Sequence, residues 1–286
     1  MSPLTRRNFL AATSVALATA PLLTSVARAT SIQAAQRRIN LGIQLYSLRD
    51  YSITVEKALK DAKEIGFTHV EFYSNMLPLD STPEKIAAVK KQVADLGLTI
   101  SAHGVNHFSK DAAANRKWFE FAKAVGIPCI SADPDPDSFA NLNELVKEFD
   151  IRIAIHNHGP THRYNKAIDV LHAVEKHDPR IGACADLGRY IRSGEKPTEV
   201  IRLLKGRLYG IHLKDFAEMQ DRTKGVILGK GHLDCTAVVD ALLAVDFPAN
   251  GAFSLEYEEN PKDPIADIKE CFAVANAAVS KANAKS

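Results

Sequence analysis

From Ile39 onward, short runs of β-branched and aliphatic residues alternate with longer stretches whose apolar positions recur every three or four residues. The first pattern predicts buried strands and the second amphipathic helices. The strand candidates are Ile39–Ser47, His69–Tyr73, Leu98–Val105, Ile127–Ala132, Arg152–His158, Ile181–Asp186, Leu208–Lys214 and Ala252–Tyr257. Helical spacing covers Val55–Ile65, Glu84–Leu96, Ala112–Val125, Asn141–Phe149, Lys166–His177, Pro197–Leu204, Ala237–Val245 and Ile265–Val279. Leu59, Ala62 and Ile65 share one face of the first helix, and Ile86, Val89, Val93 and Leu96 one face of the second. Trp118, Phe119 and Phe121 are expected to pack the third against the sheet.

Turn chemistry agrees with this alternation. Gly66, Gly97 and Gly126 each stand where a helix gives way to a strand, a left-handed position that favours a residue without Cβ. Thr82-Pro83 offers a capping hydroxyl followed by proline at the first helical position. The three glycines recur about every 30 residues, the length of one β-α unit. Eight such units predict an α/β fold, a single (β/α)8 TIM barrel of parallel strands, rather than an open doubly wound sheet. No G-x-G-x-x-G follows the first strand, which speaks against dinucleotide binding.

The first 29 residues follow another plan. Thr5-Arg6-Arg7-Asn8-Phe9-Leu10 precedes an apolar run to about Val26 that ends in Ala27-Arg28-Ala29. A charged start, an apolar middle and a small-x-small site predict an export signal, and the paired arginines resemble the twin-arginine type. The expected domains are therefore a signal over 1–29 and a barrel over 30–286, with a periplasmic mature protein. Thr13, Thr19, Pro21 and Thr24 interrupt the apolar run, which is short for a membrane span. Without the signal, 257 residues remain, close to the ~250 of one such barrel.

Setting aside Arg6, Arg7 and Arg28 leaves 33 basic against 34 acidic residues. Near-neutral charge leaves no electrostatic footprint for nucleic acid or, after signal cleavage, for a membrane. A small sugar or keto-glycoside fits better as partner. Cys129, Cys184, Cys235 and Cys271 are widely spaced with no C-x-x-C pair, so no zinc knuckle or redox motif is expected. Cys129 and Cys184 lie inside apolar runs and read as small buried hydrophobes.

In such a barrel the chemistry sits where the strands end. The second candidate strand ends in Val70-Glu71-Phe72-Tyr73 and the third in Ser101-Ala102-His103-Gly104. The fifth ends in His156-Asn157-His158, the sixth in Asp186-Leu187-Gly188-Arg189, the seventh in His212-Leu213-Lys214-Asp215 and the eighth in Glu256-Tyr257-Glu258. Taken singly, such residues cap helices or hydrogen-bond in the core. Four consecutive strands that each end in imidazole or carboxylate predict a divalent metal site suited to Mn, Zn, Co or Fe.

The chain resembles the sugar phosphate isomerase/epimerase group of xylose-isomerase-like barrels over nearly all of its mature part. The resemblance rests on Gly42-Ile43-Gln44-Leu45-Tyr46-Ser47, His156-Asn157-His158, Asp186-Leu187-Gly188-Arg189, Gly210-Ile211-His212-Leu213-Lys214-Asp215, Gly229-Lys230-Gly231 with Asp234, and Ser254-Leu255-Glu256-Tyr257-Glu258. It implies metal ligands Asp186, His212 and Glu256. Many members carry Glu-Asn where this chain has His156-Asn157, so His156 is the first choice for the remaining ligand and His158 the fallback. Many also read Asp-x-Gly-His where Arg189 stands here. Arginine is a poor metal ligand, so Arg189 is assigned to a substrate oxygen or to orienting Asp186.

The resemblance also implies proton removal beside a carbonyl, with the metal polarising the oxygen and a base within reach. Glu256 is the expected base, while His103, Glu71 and Lys214 are further acid, base or substrate-binding candidates. His156 in place of a carboxylate weakens symmetrical two-base epimerisation. Together with export, it moves the expectation towards lyase or hydrolase chemistry on a 3-keto-glycoside. Tyr46, Tyr73 and Phe108 are candidates for stacking on a sugar ring or for packing. His162, His172 and His177 are expected on the surface, and Lys230 can reach an anionic group unless its glycines serve only a loop. Two alternatives remain: a non-catalytic periplasmic sugar- or metal-binding barrel, and an endonuclease-IV-like nuclease, which the neutral charge disfavours.

Overall fold

The computed structural model describes residues 38–284, so the expected export signal lies outside the described residues. Eight parallel strands form a closed barrel in chain order: β1 Leu41–Gln44, β2 His69–Phe72, β3 Thr99–Phe108, β4 Cys129–Pro134, β5 Arg152–His156, β6 Ile181–Asp186, β7 Leu208–Leu213 and β8 Ala252–Leu255. β8 pairs with β1 through Leu41–Phe253, Gly42–Ser254 and Ile43–Leu255, which closes the ring. Around it lie α1 Val55–Ile65, α2 Pro83–Asp95, α3 Ala112–Val125, α4 Phe139–Phe149, α5 Ala167–Val174, α6 Leu187–Arg192, α7 Pro197–Leu203, α8 Cys235–Ala244 and α9 Ile265–Asn283. No helix of the described residues is long and apolar enough to cross a membrane.

The caps are those the local chemistry dictates. Thr54 and Thr82 accept the backbone N–H groups of Lys57 and Lys85, satisfying donors that a helix start leaves unpaired. The glycines at 66, 97 and 126 all take positive φ (+119°, +63° and +89°), as helix-ending positions require. Several element ends depart from expectation, and three differences lie near the mouth of the barrel. β1 stops at Gln44, and Leu45–Leu48 continue as a 3-10 turn. β3 runs on to Phe108, three residues past the expected end. α6, which begins directly behind Asp186, was not foreseen.

Alternation along the strands divides the interior in two. One face carries Ile43, Val70, Ile130, Ile153, Ile211 and Phe253 into the large apolar core shared with the helices. The other face lines the lumen, whose lower tier is a separate cluster of small residues, Ala102, Cys129, Ala154, Cys184 and Ala252. Cys129 and Cys184 thus fill space as small hydrophobes, and burial raises both thiol pKa values. Two residues further along β4, β5, β6 and β8 the lumen turns polar, at Ser131, His156, Asp186 and Ser254, because only small or hydrogen-bonded groups fit inside an eight-strand ring.

Candidate metal centre and cavity

His156, Asp186, His212 and Glu256 end β5 to β8 on the lumen side and converge there. One donor atom from each lies within 4.8 Å of the others, and all four residues are buried. His156 Nε2 is 3.1 Å from His212 Nδ1 and 3.6 Å from Asp186 Oδ2. His212 Nδ1 is 3.2 Å from Glu256 Oε2. The fit to a divalent ion can be judged on these atoms. Two imidazole nitrogens face one another at 3.1 Å, and the Asp186 Oδ2 beside them is paired with the Lys214 ammonium at 2.9 Å. Two imidazoles with two carboxylates are a donor set for zinc, manganese, cobalt or iron, and an ion between them would engage both facing nitrogens.

Each donor is held from behind. Asp186 caps α6, its Oδ1 accepting the Arg189 N–H at 2.8 Å, which leaves Oδ2 aimed at the cluster. Asn157 locks the same residue by exchanging hydrogen bonds with both of its main-chain groups, at 2.8 and 3.0 Å. Glu71 is fully buried below the cluster. Its carboxylate lies 3.0 Å from His212 Nε2 and accepts the hydroxyls of Ser131 and Ser254 at 2.7 and 2.9 Å. A carboxylate on the far nitrogen of a ligating imidazole fixes its tautomer and raises its basicity.

The cavity above is about 320 Å³ and is lined by Tyr46, Tyr73, Ser74, Gly104, Val105, His156, His158, Arg189, Glu256 and Glu258. That is the low end of small-molecule pockets, about 300–1,000 Å³. Tyr46 and Tyr73 meet edge to face with centroids 5.4 Å apart. Lys214 lies behind the wall, with Nζ 2.6 Å from Glu256, 2.6 Å from Glu258 and 2.9 Å from Asp186. Arg189 reaches both Glu258 oxygens at 3.2 Å.

These contacts set the charges. Burial alone would raise the Asp186 carboxyl, but Lys214, His156 and Arg189 outweigh it and hold it well below the usual range. Burial is likewise outweighed at Glu256 by Lys214 and His212, and at Glu71 by His212 and the two serines. Burial would lower Lys214, yet its three carboxylates raise it, so it stays an ammonium. Burial lowers His158 to about 3, helped by His156 and His162, and keeps that ring neutral.

Several expected site residues stand elsewhere. His103 follows the lumen-facing Ala102 and therefore points outward. Its ring packs against Trp118 and Phe121 of α3, and its nitrogens bond Leu77 and Asn106. Glu71 supports His212 and does not line the cavity, and Lys214 steers carboxylates from behind the wall. Phe108 is buried against Phe119 and does not line the cavity. Lys230 pairs with Glu270 on the surface. Its flanking glycines instead help wrap the buried Asp215 carboxylate, which accepts the N–H groups of Phe216, Gly229, Gly231, His232 and Leu233 at 2.7–3.0 Å. His162 is not a free surface residue, for it lies 3.3 Å from Asp133 and its ring is tilted against that of His158, with centroids 4.6 Å apart.

Glu258, Asp133, Ser131 and Ser254 were not singled out from sequence. Each lies two residues from a lumen position on its own strand or strand extension, so a strict period-2 reading points to all four.

The profile of xylose isomerase-like TIM barrels matches residues 59–274, most of the barrel just described. The chain belongs to the xylose isomerase-like TIM barrel family. Within and around this family, 3-oxo-isoapionate decarboxylase of Pectobacterium atrosepticum is 27% identical over 175 residues. That match takes in 55% of this chain and 61% of the decarboxylase, so the aligned part spans about three fifths of that relative. A crystal structure from Parabacteroides distasonis, 26% identical, covers 83% of this chain and 98% of its own with a TM-score of 0.65. L-ribulose 3-epimerase shares the fold at 17% identity, covering 86% of this chain and 96% of its own, with a TM-score of 0.68. The 3-keto-D-glucoside 4-epimerase of E. coli does so at 15% identity, 84% and 100% coverage and a TM-score of 0.65.

Proposed function

We propose that this family member is a divalent-metal-dependent enzyme that abstracts a proton next to the carbonyl of a sugar or keto-sugar. The observation that carries the reading is the convergence of His156, Asp186, His212 and Glu256 beneath a monosaccharide-sized cavity. Manganese, zinc, cobalt or iron held by these four residues would supply Lewis-acid polarisation of the substrate carbonyl. Glu256, which both completes the donor set and lines the cavity, is the proton-handling carboxylate. Lys214 and His212 fix its ionised form and aim it. Tyr46 and Tyr73 form an apolar wall for the ring. His158, whose Nδ1 is buried and unpartnered, offers a polar contact to a hydroxyl.

The β5 position carries imidazole, so carboxylates do not flank the cavity symmetrically. One-sided proton removal favours isomerisation or β-elimination over epimerisation. With residues 1–29 read as a twin-arginine signal, the substrate is a 3-keto-glycoside met in the periplasm, and a sugar phosphate is disfavoured. The decarboxylase relative favours a second outcome of the same chemistry, since loss of CO2 beside a ketone yields the same kind of enolate.

The test incubates mature protein in D2O with 3-keto-glucosides and free ketoses and follows deuterium entry beside the carbonyl by NMR, alongside metal analysis. Metal-dependent exchange that Asp186→Ala and His212→Ala abolish is expected. Absence of bound transition metal, or exchange unchanged in both variants, refutes the proposal.

A further inference from the structure

The two cations beside the donor cluster are not equally satisfied. Lys214 has three carboxylates at 2.6, 2.6 and 2.9 Å. Arg189 touches Glu258 only at 3.2 Å, long for a charge-assisted bond, which is about 2.7–2.9 Å. Its Nε is buried and has no hydrogen-bond partner, since Asp186 Oδ2 at 3.9 Å is out of range. An unmet N–H on a guanidinium is costly unless something else accepts from it. Gly159 of the loop after β5 lies beside the Arg189 stem. Arg189 lines the same cavity as His156 and Glu256.

We propose that Arg189 reads a carboxylate on the substrate, so that the enzyme takes keto-sugar acids in preference to neutral keto-sugars. This rests on the reading of the site given above. The adjacent Nε–H and Nη2–H groups form one edge of the guanidinium fork, and a carboxylate accepts from both in its own plane. A sugar hydroxyl can meet only one of them and brings no charge. Glu258 can yield its weak Arg189 contact because Lys214 still holds it at 2.6 Å.

The experiment measures binding by calorimetry to the manganese-loaded mature protein. The probes are 2-keto-D-gluconate, D-fructose, in which the carboxylate is replaced by a hydroxymethyl group, and D-fructose 1-phosphate, phosphorylated at that same position. A charge-assisted pair predicts that the acid binds about 30-fold more tightly than fructose. In Arg189→Gln the ratio should fall to within about threefold, and Arg189→Lys, which keeps charge but loses the fork, should restore only part of it. Manganese content of each variant checks that the donor cluster is intact. Undetectable or equal binding of the acid by the wild type, tighter binding of the phosphate, or a ratio that survives Arg189→Gln overturns the proposal. Deuterium exchange in fructose without preference for the acid sinks this inference and leaves the proposed function standing. An Arg189-dependent preference without exchange in any keto-sugar does the reverse.

Discussion

Replacing Glu71 by glutamine tests whether the donor cluster is organised from below. Glu71 is fully buried, and its carboxylate holds His212 Nε2 at 3.0 Å and the hydroxyls of Ser131 and Ser254 at 2.7 and 2.9 Å. Glutamine keeps the volume but exchanges one acceptor oxygen for an NH2 donor and removes the charge. At least one of the three partners then faces a donor, and the imidazole loses the anion that fixes its tautomer. A hydrogen bond to a charged group contributes about 1.5–3 kcal/mol. Outer-shell changes of this kind cost about 10–100-fold in metal affinity. The two figures agree, so Glu71→Gln should raise the metal Kd by about 10–100-fold. Competition with a chelating dye at pH 7.5 measures this directly, and circular dichroism confirms that the variant is folded. Because Glu71 does not line the cavity, restoring saturation with excess metal should restore most of the turnover. An unchanged Kd, or activity lost even at saturation, would refute the supporting role and return Glu71 to direct catalysis.

Two further outcomes follow from the same geometry. His158 has its pKa depressed from 6.5 to about 3 by burial and then by His156 and His162. The unfolded chain therefore takes up a proton near pH 6.5 that the folded one refuses until about pH 3. The contribution is present above 6.5 and is lost as pH falls through this window. His212 shifts in the opposite direction, so the readout is a difference: between pH 6.5 and 4.5 the urea midpoint of metal-free protein should fall less in His158→Asn than in wild type. Asp215→Ala removes the acceptor of five backbone N–H groups. With some of them rehydrated, the loss should be about 3 kcal/mol in urea unfolding, and a loss below ~1 kcal/mol would show that the loop does not depend on its carboxylate.

The barrel was legible because its signal is redundant: period two in the strands, period 3.6 in the helices and glycine at the junctions. Strand ends were less so. Leu45 and Leu48 are buried whether they continue a strand or enter a 3-10 turn, so burial could not separate the two. Polar Asn106 and His107 hid the last part of β3. α6 spans six residues, too few to show a helical period, and its cap Asp186 had been read only as a ligand. The four donors could be read as a group because each ends a lumen-facing alternation on a neighbouring strand. His103 misled because nearness to a strand end says nothing of side, and one residue of offset turns it to the helices. Glu71 and Lys214 lie beside the donor cluster but do not line the cavity, and that depth depends on which groups surround them, a distance that a linear sequence does not encode.

The small apolar cluster of the lumen and the outer apolar layer have separate memberships on opposite faces of the strands. Aliphatic packing that resists unfolding therefore lies on one side of each strand, and the groups that decide chemistry lie on the other. A lumen side chain can change identity without opening a cavity in the apolar layer that carries most of the stability. Drift at a handful of alternate positions is thus decoupled from folding, which gives a physical route by which one barrel sequence diverges into many substrates while keeping the same frame.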